Sequence, residues 1–166
     1  MDKKSRTCCF TGHRNIPQNQ FENIAIRTER TIRKLIITSG MQYFGVGGAL
    51  GFDTLAAQIL FRLREAEFPW IKVILIYPFE GFTSCWTDDQ KKIYSGMLSQ
   101  YDKCVCVSPV PSREAYLTRD RYMIDGSSHC IAYCTRDTGG TAYTIRYAHN
   151  KGGVSIHNVA LDGMFC

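Results

Sequence analysis

Short apolar runs alternate with amphipathic runs along almost the whole chain. The apolar runs lie at residues 7–11, 42–46, 72–77, 103–108, 129–134 and 154–158. Between them, apolar residues recur with the helical period from about residue 21 to a Ser39-Gly40 stop, and at 52–63, 88–98, 115–125 and 141–150. This alternation predicts an α/β fold, a doubly wound and mainly parallel sheet of about six strands with helices on both faces.

Three glycine-containing turns follow predicted strands and begin predicted helices. In doubly wound sheets, ligands bind beyond the carboxyl ends of the strands. Since each turn joins such an end to a helix start, all three turns are expected at the same edge of the sheet. A shared ligand site there does not depend on any single motif.

Length and composition favour one soluble domain, residues 1–166 with a core at about 7–158, because 166 residues with 45% hydrophobic content can bury a sizeable core. The formal charge of +5 suits an anionic ligand, but it falls short of the concentrated basic stripe typical of nucleic-acid binding, so that partner is not expected. No run reaches the ~18 apolar residues of a membrane span, and Met1–Arg6 is not followed by a signal-like apolar region. We therefore expect a cytoplasmic protein with no membrane partner.

Eight cysteines raise the question of disulfides or metal. Most lie in or beside apolar runs, where cysteine behaves as a small hydrophobe: Cys8, Cys9, Cys104, Cys106, Cys130 and Cys134. No CxxC or HExxH spacing occurs, and in an extended strand Cys130 and Cys134 would lie ~13 Å apart, too far for a bridge or one metal ion. We expect reduced, buried thiols and no metal site. A Walker lysine and a GxSxG elbow are also absent from the sequence.

The turn Gly47-Gly48-Ala49-Leu50-Gly51 is the strongest candidate ligand site. Glycines let a backbone approach a phosphate closely, and the free amides of a helix start favour negative charge. Asp53 follows in the first helical turn, where it could cap the helix or accept hydrogen bonds from ribose hydroxyls. A phosphate contact is less sensible for Asp53, because two negative charges repel.

Two further turns carry polar groups. Thr11-Gly12-His13-Arg14 follows the first strand; Arg14 could bind a phosphate bidentately, and His13 could donate a hydrogen bond or act as an acid or base near pH 7. Gly139-Gly140-Thr141, with Asp137 before it, offers another helix start that Thr141 could cap or use to bind phosphate. The alternatives are an ordinary exposed turn for the first and a flexible connection for the second.

The predicted helix at 115–125 combines arginine, tyrosine and acid. Tyr116, Arg119 and Tyr122 suit stacking on a base together with a phosphate contact. The same residues could form a surface helix with internal ion pairs, and Asp125 could stabilise neighbouring loops instead of touching a ligand.

Taken in this order, these segments resemble the YpsA-like branch of the SLOG superfamily from about residue 8 to residue 158. The resemblance implies a Rossmann-like fold and a nucleotide-type ligand, since members are thought to bind nucleotides or their derivatives, including NAD- and ADP-ribose-related signals. The superfamily includes the cytokinin-activating LOG enzymes and the DNA-processing protein DprA. It also implies, by analogy, a homodimer and a bacterial or phage host.

Two departures from the family pattern bear on catalysis and charge. LOG enzymes carry a PGGxGTxxE signature whose glutamate supports phosphoribohydrolase chemistry, whereas the stretch 139–145 has no carboxylate at the matching place. YpsA-like proteins commonly have Arg-Asn where this chain has Arg119-Asp120, which lowers the local positive charge.

The resulting hypothesis is a protein that binds an ADP-ribose- or NAD-related signal, for sensing or sequestration, without turnover and without a required cofactor. Its site would comprise phosphates at Gly12, Gly47–Gly48 and Gly139–Gly140, cations at Arg14 and Arg119, ribose at Asp53, and a base beside Tyr116 or Tyr122. One alternative is an N-glycosidic hydrolase using His13, Asp53 or Asp125. Another is a ligand-free interaction module that makes contact through an exposed Phe82 and Trp86.

Overall fold

A computed structural model describes residues 2–160 of the chain. Within that range six strands form one all-parallel sheet. The strands are β1 (Thr7–Gly12), β2 (Tyr43–Val46), β3 (Lys72–Tyr77), β4 (Lys103–Cys106), β5 (His129–Tyr133) and β6 (Ser155–Asn158). The predicted Rossmann-like α/β fold is confirmed.

Helices connect the strands wherever the periodicity predicts them. They are α1 (Gln18–Ser39), α2 (Phe52–Ala66), α3 (Asp88–Met97), α4 (Arg113–Asp125) and α5 (Gly140–Lys151), with short 3-10 turns at Lys4–Arg6 and Leu98–Gln100. Helix α1 ends where Gly40 adopts a left-handed φ of 65°, which confirms the glycine stop. Helix α3 begins with a capping box between Thr87 and Gln90.

The strand order is β4-β3-β2-β1-β5-β6. The chain winds outward from β1 to β4, returns across the sheet through α4, and continues from β5 to β6 on the other side. Strands β1 and β5 are direct neighbours, with Gly12 opposite Tyr133. In this class of sheet a crevice opens where the winding reverses, here at the carboxyl ends of β1 and β5.

The helices form a layer on each face of the sheet, as expected for right-handed crossovers. Ile32 of α1 and Leu60 of α2 belong to one buried cluster with Phe10. Ile124 of α4 belongs to a second cluster with Cys9. Since successive side chains of a strand point to opposite faces, Cys9 and Phe10 of β1 reach different layers.

The predicted burial of the strand cysteines is wrong at two positions. Cys104 and Cys106 are exposed, whereas Cys8, Cys9 and Cys130 are buried as expected. The reason is that β4 is the end strand of the described sheet, so its side chains are covered less than those of the central strands.

The expectation of an exposed Phe82 is also wrong. Its ring is 9% exposed and packs edge-on against Trp86 and Tyr94. Trp86 itself is half-buried. The loop after β3 therefore has a small aromatic core of its own, and these two rings do not form the exposed contact of the interaction-module alternative.

In residues 2–160, no helix is long and apolar enough to cross a membrane. Over the same range, no group of three or more His, Cys, Asp and Glu side chains is arranged to hold a metal ion. The weakly ordered tail predicted from residue 160 onward lies, beyond Ala160, outside the described residues.

Candidate ligand-binding cleft

A cleft of about 1100 Å³ opens at the carboxyl ends of β1 and β5. Its walls come from the turn after β1, the start of α2, one face of α4, and the connection from β5 into α5. The volume lies just above the usual range of about 300–1,000 Å³ for small-molecule sites. The cleft is therefore large enough for a ligand of dinucleotide size.

Residues predicted from separate turns meet in this cleft. Those that line it are Thr11, Gly12, His13, Arg14, Ala49, Asp53, Tyr116, Arg119, Gly140 and Thr141. The remaining predicted residues, Gly47, Gly48, Gly51, Tyr122, Asp125 and Gly139, are not part of its lining within the described range. Segments far apart in sequence converge here because neighbouring parallel strands end at one edge.

Gly12 and Gly51 permit close packing between two protein segments. A Cβ on Gly12 would overlap the side chain of Phe52, and a Cβ on Gly51 would overlap the backbone carbonyl of Arg14. Gly51 also has a φ of 77°, which residues other than glycine rarely adopt. Both glycines therefore let the turn after β1 lie directly against the start of α2.

Gly47 and Gly48 are buried beneath other side chains. A Cβ on Gly47 would lie 2.7 Å from both Arg119 Nη1 and Asp53 Oδ2. A Cβ on Gly48 would lie 2.7 Å from Leu75. The space beside these two glycines is thus occupied by the protein itself.

Amides at the start of α2 are bonded within the protein. The Phe52 N–H donates to the His13 carbonyl at 3.2 Å. The Ala49 N–H donates to Asp53 Oδ2, also at 3.2 Å, and the Thr54 hydroxyl donates to the Ala49 carbonyl at 3.1 Å. The first amide of α2 and the Ala49 amide just before the helix are therefore already used within the protein.

Asp53 has one buried oxygen without a partner. The residue is 6% exposed, and while Oδ2 accepts the Ala49 N–H, Oδ1 accepts no hydrogen bond from the described residues. Burial disfavours the charged carboxylate and raises its pKa to about 6, although Arg119 opposes the shift. Since buried acceptors are normally satisfied and Asp53 lines the cleft, its carboxylate suits a ligand donor.

The Arg119 guanidinium donates hydrogen bonds to two other groups of the protein. Its Nε donates to Asp120 Oδ1 at 2.7 Å, and its Nη1 donates to the Gly47 carbonyl. The other oxygen of Asp120 accepts the Thr144 hydroxyl at 3.2 Å, and burial raises the pKa of the Asp120 carboxyl despite the nearby guanidinium. Arg119 therefore ties α4 to the turn after β2 and balances the charge of Asp53 and Asp120.

The start of α5 is open by comparison. Gly139, with a φ of 92°, precedes the helix without a side-chain cap, and a Cβ on Gly140 would meet nothing within 4 Å. Gly140 and Thr141 both line the cleft. The first amides of a helix and its dipole favour an anion, so this end of the cleft can accept a phosphate.

Sequence reasoning missed two arginines of the cleft. Arg113 and Arg136 line it and are exposed, as is the predicted Arg14. Their guanidinium groups can bind phosphate oxygens bidentately. Arg136 comes shortly before Gly139, and a basic residue in the same connection as a glycine turn is the signal by which it could have been found.

His13 holds the connection after β5. Its buried ring accepts the Thr135 backbone N–H at Nε2, at 2.9 Å, and packs edge-on against Tyr133 with 5.5 Å between ring centroids. Burial and, secondarily, the charge of Arg136 lower the pKa of the ring. His13 is therefore neutral at pH 7.

The aromatic and acidic residues predicted on α4 separate in space. Tyr116 lines the cleft and packs edge-on against Phe79, with 5.5 Å between centroids. Tyr122 is 52% exposed. Asp125 accepts hydrogen bonds from Tyr147, at 2.8 Å, and from Lys151. Asp125 thus joins α4 to α5 at the surface.

Fold and cleft together define a Rossmann-like α/β protein with a ligand-sized crevice at the point where its winding reverses. The family model YpsA, which describes the YspA SLOG family, matches residues 8–162. The chain belongs to this family.

Similar proteins include UPF0398 proteins of bacilli. One from Bacillus pumilus is 27% identical over 132 residues, which cover 78% of this chain and 70% of that protein. Another, from Bacillus velezensis, is 26% identical over 134 residues, covering 77% and 73%.

Solved structures of DNA processing protein A have a similar fold. The protein from Streptococcus pneumoniae has a TM-score of 0.64 at 15% identity, and the match covers 92% of this chain and 50% of that one. The protein from Helicobacter pylori has a TM-score of 0.61 at 16% identity, covering 92% and 65%. This chain spans half of the first structure and just under two thirds of the second, and the likeness at such identity is one of fold.

Proposed function

We propose that the cleft binds a nucleotide derivative of the ADP-ribose or NAD kind, for sensing or sequestration rather than turnover. One observation carries the proposal: Asp53, which has a buried carboxylate oxygen without a partner among the described residues, and the open helix start at Gly140 line the same cleft. A ligand that complements both needs hydroxyl donors on one part and an anion on another. A nucleoside diphosphate derivative has both hydroxyl donors and an anionic group.

The phosphates bind at the start of α5. Gly140 and Thr141 supply helix amides there, and Arg14 and Arg136 supply guanidinium groups from opposite connections. The turn at Gly47–Gly48 takes no phosphate in this arrangement, because its surroundings are filled by Arg119, Asp53 and Leu75.

The ribose binds at Asp53. A sugar hydroxyl donates to Oδ1, and this hydrogen bond is stronger to the ionised carboxylate than to the protonated carboxyl group. Because the pKa of Asp53 is about 6, the group is mostly ionised at pH 7.5 and mostly protonated at pH 5. Affinity therefore falls on acidification, whereas a phosphate placed against Asp53 would show the opposite trend.

The base binds beside Tyr116. This half-buried ring lines the cleft and is held edge-on by Phe79, so its orientation is fixed before a ligand arrives. Stacking on a ring of fixed orientation favours a planar base without selecting one base strongly.

N-glycosidic hydrolysis is a second candidate, favoured by the pKa of Asp53. A carboxyl group that titrates near pH 6 inside a cleft can act as a general acid or base. Release of free base from AMP, NAD or ADP-ribose, followed by chromatography, distinguishes this activity from binding alone.

Single-stranded DNA is a further outcome to be tested. The similar structure from Helicobacter pylori concerns the single-stranded DNA binding mode of that protein. Here the exposed cleft arginines Arg14, Arg113 and Arg136 could contact a phosphate backbone. Stronger stabilisation by oligothymidylate than by ADP-ribose, at one fixed salt concentration, would replace the proposed ligand class.

Calorimetric titration and thermal shift with ADP-ribose, AMP and pyrophosphate provide the main test. Saturating ADP-ribose should raise the melting temperature by several degrees, because a ligand at about 100 times its Kd adds about 2.7 kcal/mol of stability. Asp53→Asn should weaken ADP-ribose binding by up to roughly tenfold, since it replaces a charged acceptor with a neutral amide oxygen, whose hydrogen bond is weaker.

Two control variants isolate the effect of position. Asp125→Asn makes the same chemical change outside the cleft and should leave affinity unaltered. Arg136→Gln should weaken pyrophosphate and ADP-ribose alike, whereas Arg30→Gln, on the exposed part of α1, should not. Equal effects of the cleft and control variants would contradict the site.

A further inference from the structure

Two side chains hold the backbone where it leaves β5 and turns toward α5. On one side, His13 Nε2 accepts the Thr135 N–H at 2.9 Å. On the other, the Asn158 side chain accepts the Cys134 N–H at 3.1 Å and donates to the Cys134 carbonyl at 2.9 Å. Residues 135–139 are exposed and belong to no helix or strand. The two contacts therefore fix the direction in which this connection begins.

The contact from His13 and the contacts from Asn158 differ in chemistry. The amide of Asn158 is both donor and acceptor at every ordinary pH. The bond from Thr135 to His13 exists in one protonation state only, because a backbone amide can donate but not accept. Nε2 must therefore be unprotonated, and the neutral ring carries its proton on Nδ1.

Acid breaks the hydrogen bond from the Thr135 N–H to His13. A protonated ring donates from both nitrogens and cannot accept the Thr135 amide. Tyr133 of β5 packs against the ring, and the charge of Arg136 acts on it from the connection after β5. The other charged residues of the cleft lining are Arg14, Asp53, Arg113, Glu114, Arg119 and Asp120. Burial and Arg136 oppose protonation, so the bond is intact at pH 7.5 and is lost only below the ordinary imidazole value of about 6.5.

We infer that His13 is a positioning residue: its neutral ring latches the connection after β5 and thereby sets where Arg136 and the start of α5 meet the ligand phosphates. Its effect on affinity rests on the proposed function. The latch itself does not, because it is a property of the free protein. The hydrogen bonds of Asn158 do not depend on pH, whereas the hydrogen bond to His13 is lost when its ring is protonated.

Nuclear magnetic resonance of the free protein tests the latch without a ligand. Nitrogen shifts of the His13 ring should show the neutral tautomer protonated at Nδ1. On acidification, the Thr135 amide should lose its hydrogen-bonded shift with the same midpoint as the His13 ring. A ring protonated at Nε2, or a Thr135 amide that ignores the titration of His13, overturns the inference.

Matched variants test the positioning role. His13→Gln keeps an acceptor near the Nε2 position and cannot titrate, whereas His13→Phe keeps a planar ring without an acceptor. At pH 7.5 the Phe variant should bind ADP-ribose roughly two- to tenfold more weakly than wild type, as expected for one lost hydrogen bond, and the Gln variant should bind within about twofold. From pH 7.5 to pH 5, the Gln variant should lose less affinity than wild type, with Asp53 causing the remainder.

Asn158→Leu gives the corresponding control for the hydrogen bonds between Asn158 and Cys134. It should weaken ADP-ribose binding while leaving the shape of the pH profile as in wild type. If His13→Phe does not fold, the Gln variant and the wild-type titration still decide.

The possible failures can be told apart. If ADP-ribose does not bind wild type while His13 and Thr135 titrate together, the proposed function fails and the latch stands. If ADP-ribose binds wild type and every His13 variant with one affinity and one pH profile, His13 positions nothing and the inference is wrong.

Discussion

The glycine turn after β2 and the glycine turn after β5 have similar sequences and opposite surroundings. At the first, Gly47 is covered by Arg119 and Asp53, and the Phe52 amide is bonded to the His13 carbonyl. At the second, a Cβ on Gly140 would meet nothing within 4 Å. The turn with more glycines is closed by the protein, and the turn with fewer is open to the cleft.

This difference shows that glycine can serve two unrelated purposes at a strand–helix junction. After β2, glycine removes a side chain so that other protein groups can approach, and Asp53 is held there as a buried acceptor. After β5, Gly139 adopts a positive φ just before the helix, and the space beside Gly140 is open. A ligand that uses both turns would meet a carboxylate at one and amides at the other.

Alanine substitution at the closed turn should have the largest effect. Gly51→Ala introduces a methyl group that overlaps the Arg14 carbonyl, at a φ of 77° that disfavours alanine. We expect the free energy of unfolding to fall by about 3 kcal/mol or more, measured by chemical denaturation. Neither neighbouring backbone can move without disturbing the cleft.

Gly140→Ala is the matched change at the open turn. Since its methyl group would have free space around it, the free energy of unfolding should change by less than about 0.5 kcal/mol. Similar losses in both variants would remove the distinction between a closed and an open turn.

Asp53→Asn should stabilise the free protein at neutral pH. The pKa of Asp53 is about 6 in the folded state, against an ordinary value of about 3.9, so the folded protein holds the proton more tightly than the unfolded chain. Ionisation therefore costs stability as pH rises from 4 to 6. We expect a gain of about 1–3 kcal/mol at pH 7.5 that disappears near pH 4, measured by denaturation at both values.

Asp125→Asn should behave with the opposite sign. Partial burial acts to raise the pKa of Asp125, but hydrogen bonds from Lys151 and Tyr147 outweigh it and lower the pKa. The folded state thus favours the carboxylate, and its loss should cost less than about 1 kcal/mol at pH 7.5 and nothing in acid. If both variants shifted stability in one direction, the burial of Asp53 would not be the cause.

Sheet and helices could be predicted because their signals are local. The continuous apolar run of β3, Lys72–Tyr77, indicates a buried strand by itself, and Gly40 ends α1 where the helical period stops. The place of a strand in the sheet is not a local property. For that reason Cys104 and Cys106 were predicted as strand residues correctly and as buried residues wrongly.

The occupancy of the turns could not be predicted, because it depends on contacts between distant segments. No local spacing indicates that the His13 carbonyl reaches the Phe52 amide, or that Arg119 donates to the Gly47 carbonyl. Helical spacing does place Arg119 and Tyr116 near one wall, and both line the cleft. Sequence thus indicates which side chains share an edge, but not which of them remain available to a ligand.

Gly139→Ala should have a modest effect on stability and a selective effect on binding. Gly139 has a φ of 92°, yet its nearest neighbour, the Arg136 side chain, would lie 3.9 Å from an added Cβ. The cost is therefore one of backbone conformation alone, about 1–3 kcal/mol of unfolding free energy, because φ 92° with ψ −177° is a combination that essentially only glycine adopts. Because the relaxed backbone would turn the first amides of α5 away from their open arrangement, affinity for pyrophosphate should fall while that of Gly140→Ala stays near wild type. Equal affinities in the two variants would mean that the left-handed residue does not orient the helix start, and the phosphate would then have to be held by the arginines rather than by the turn.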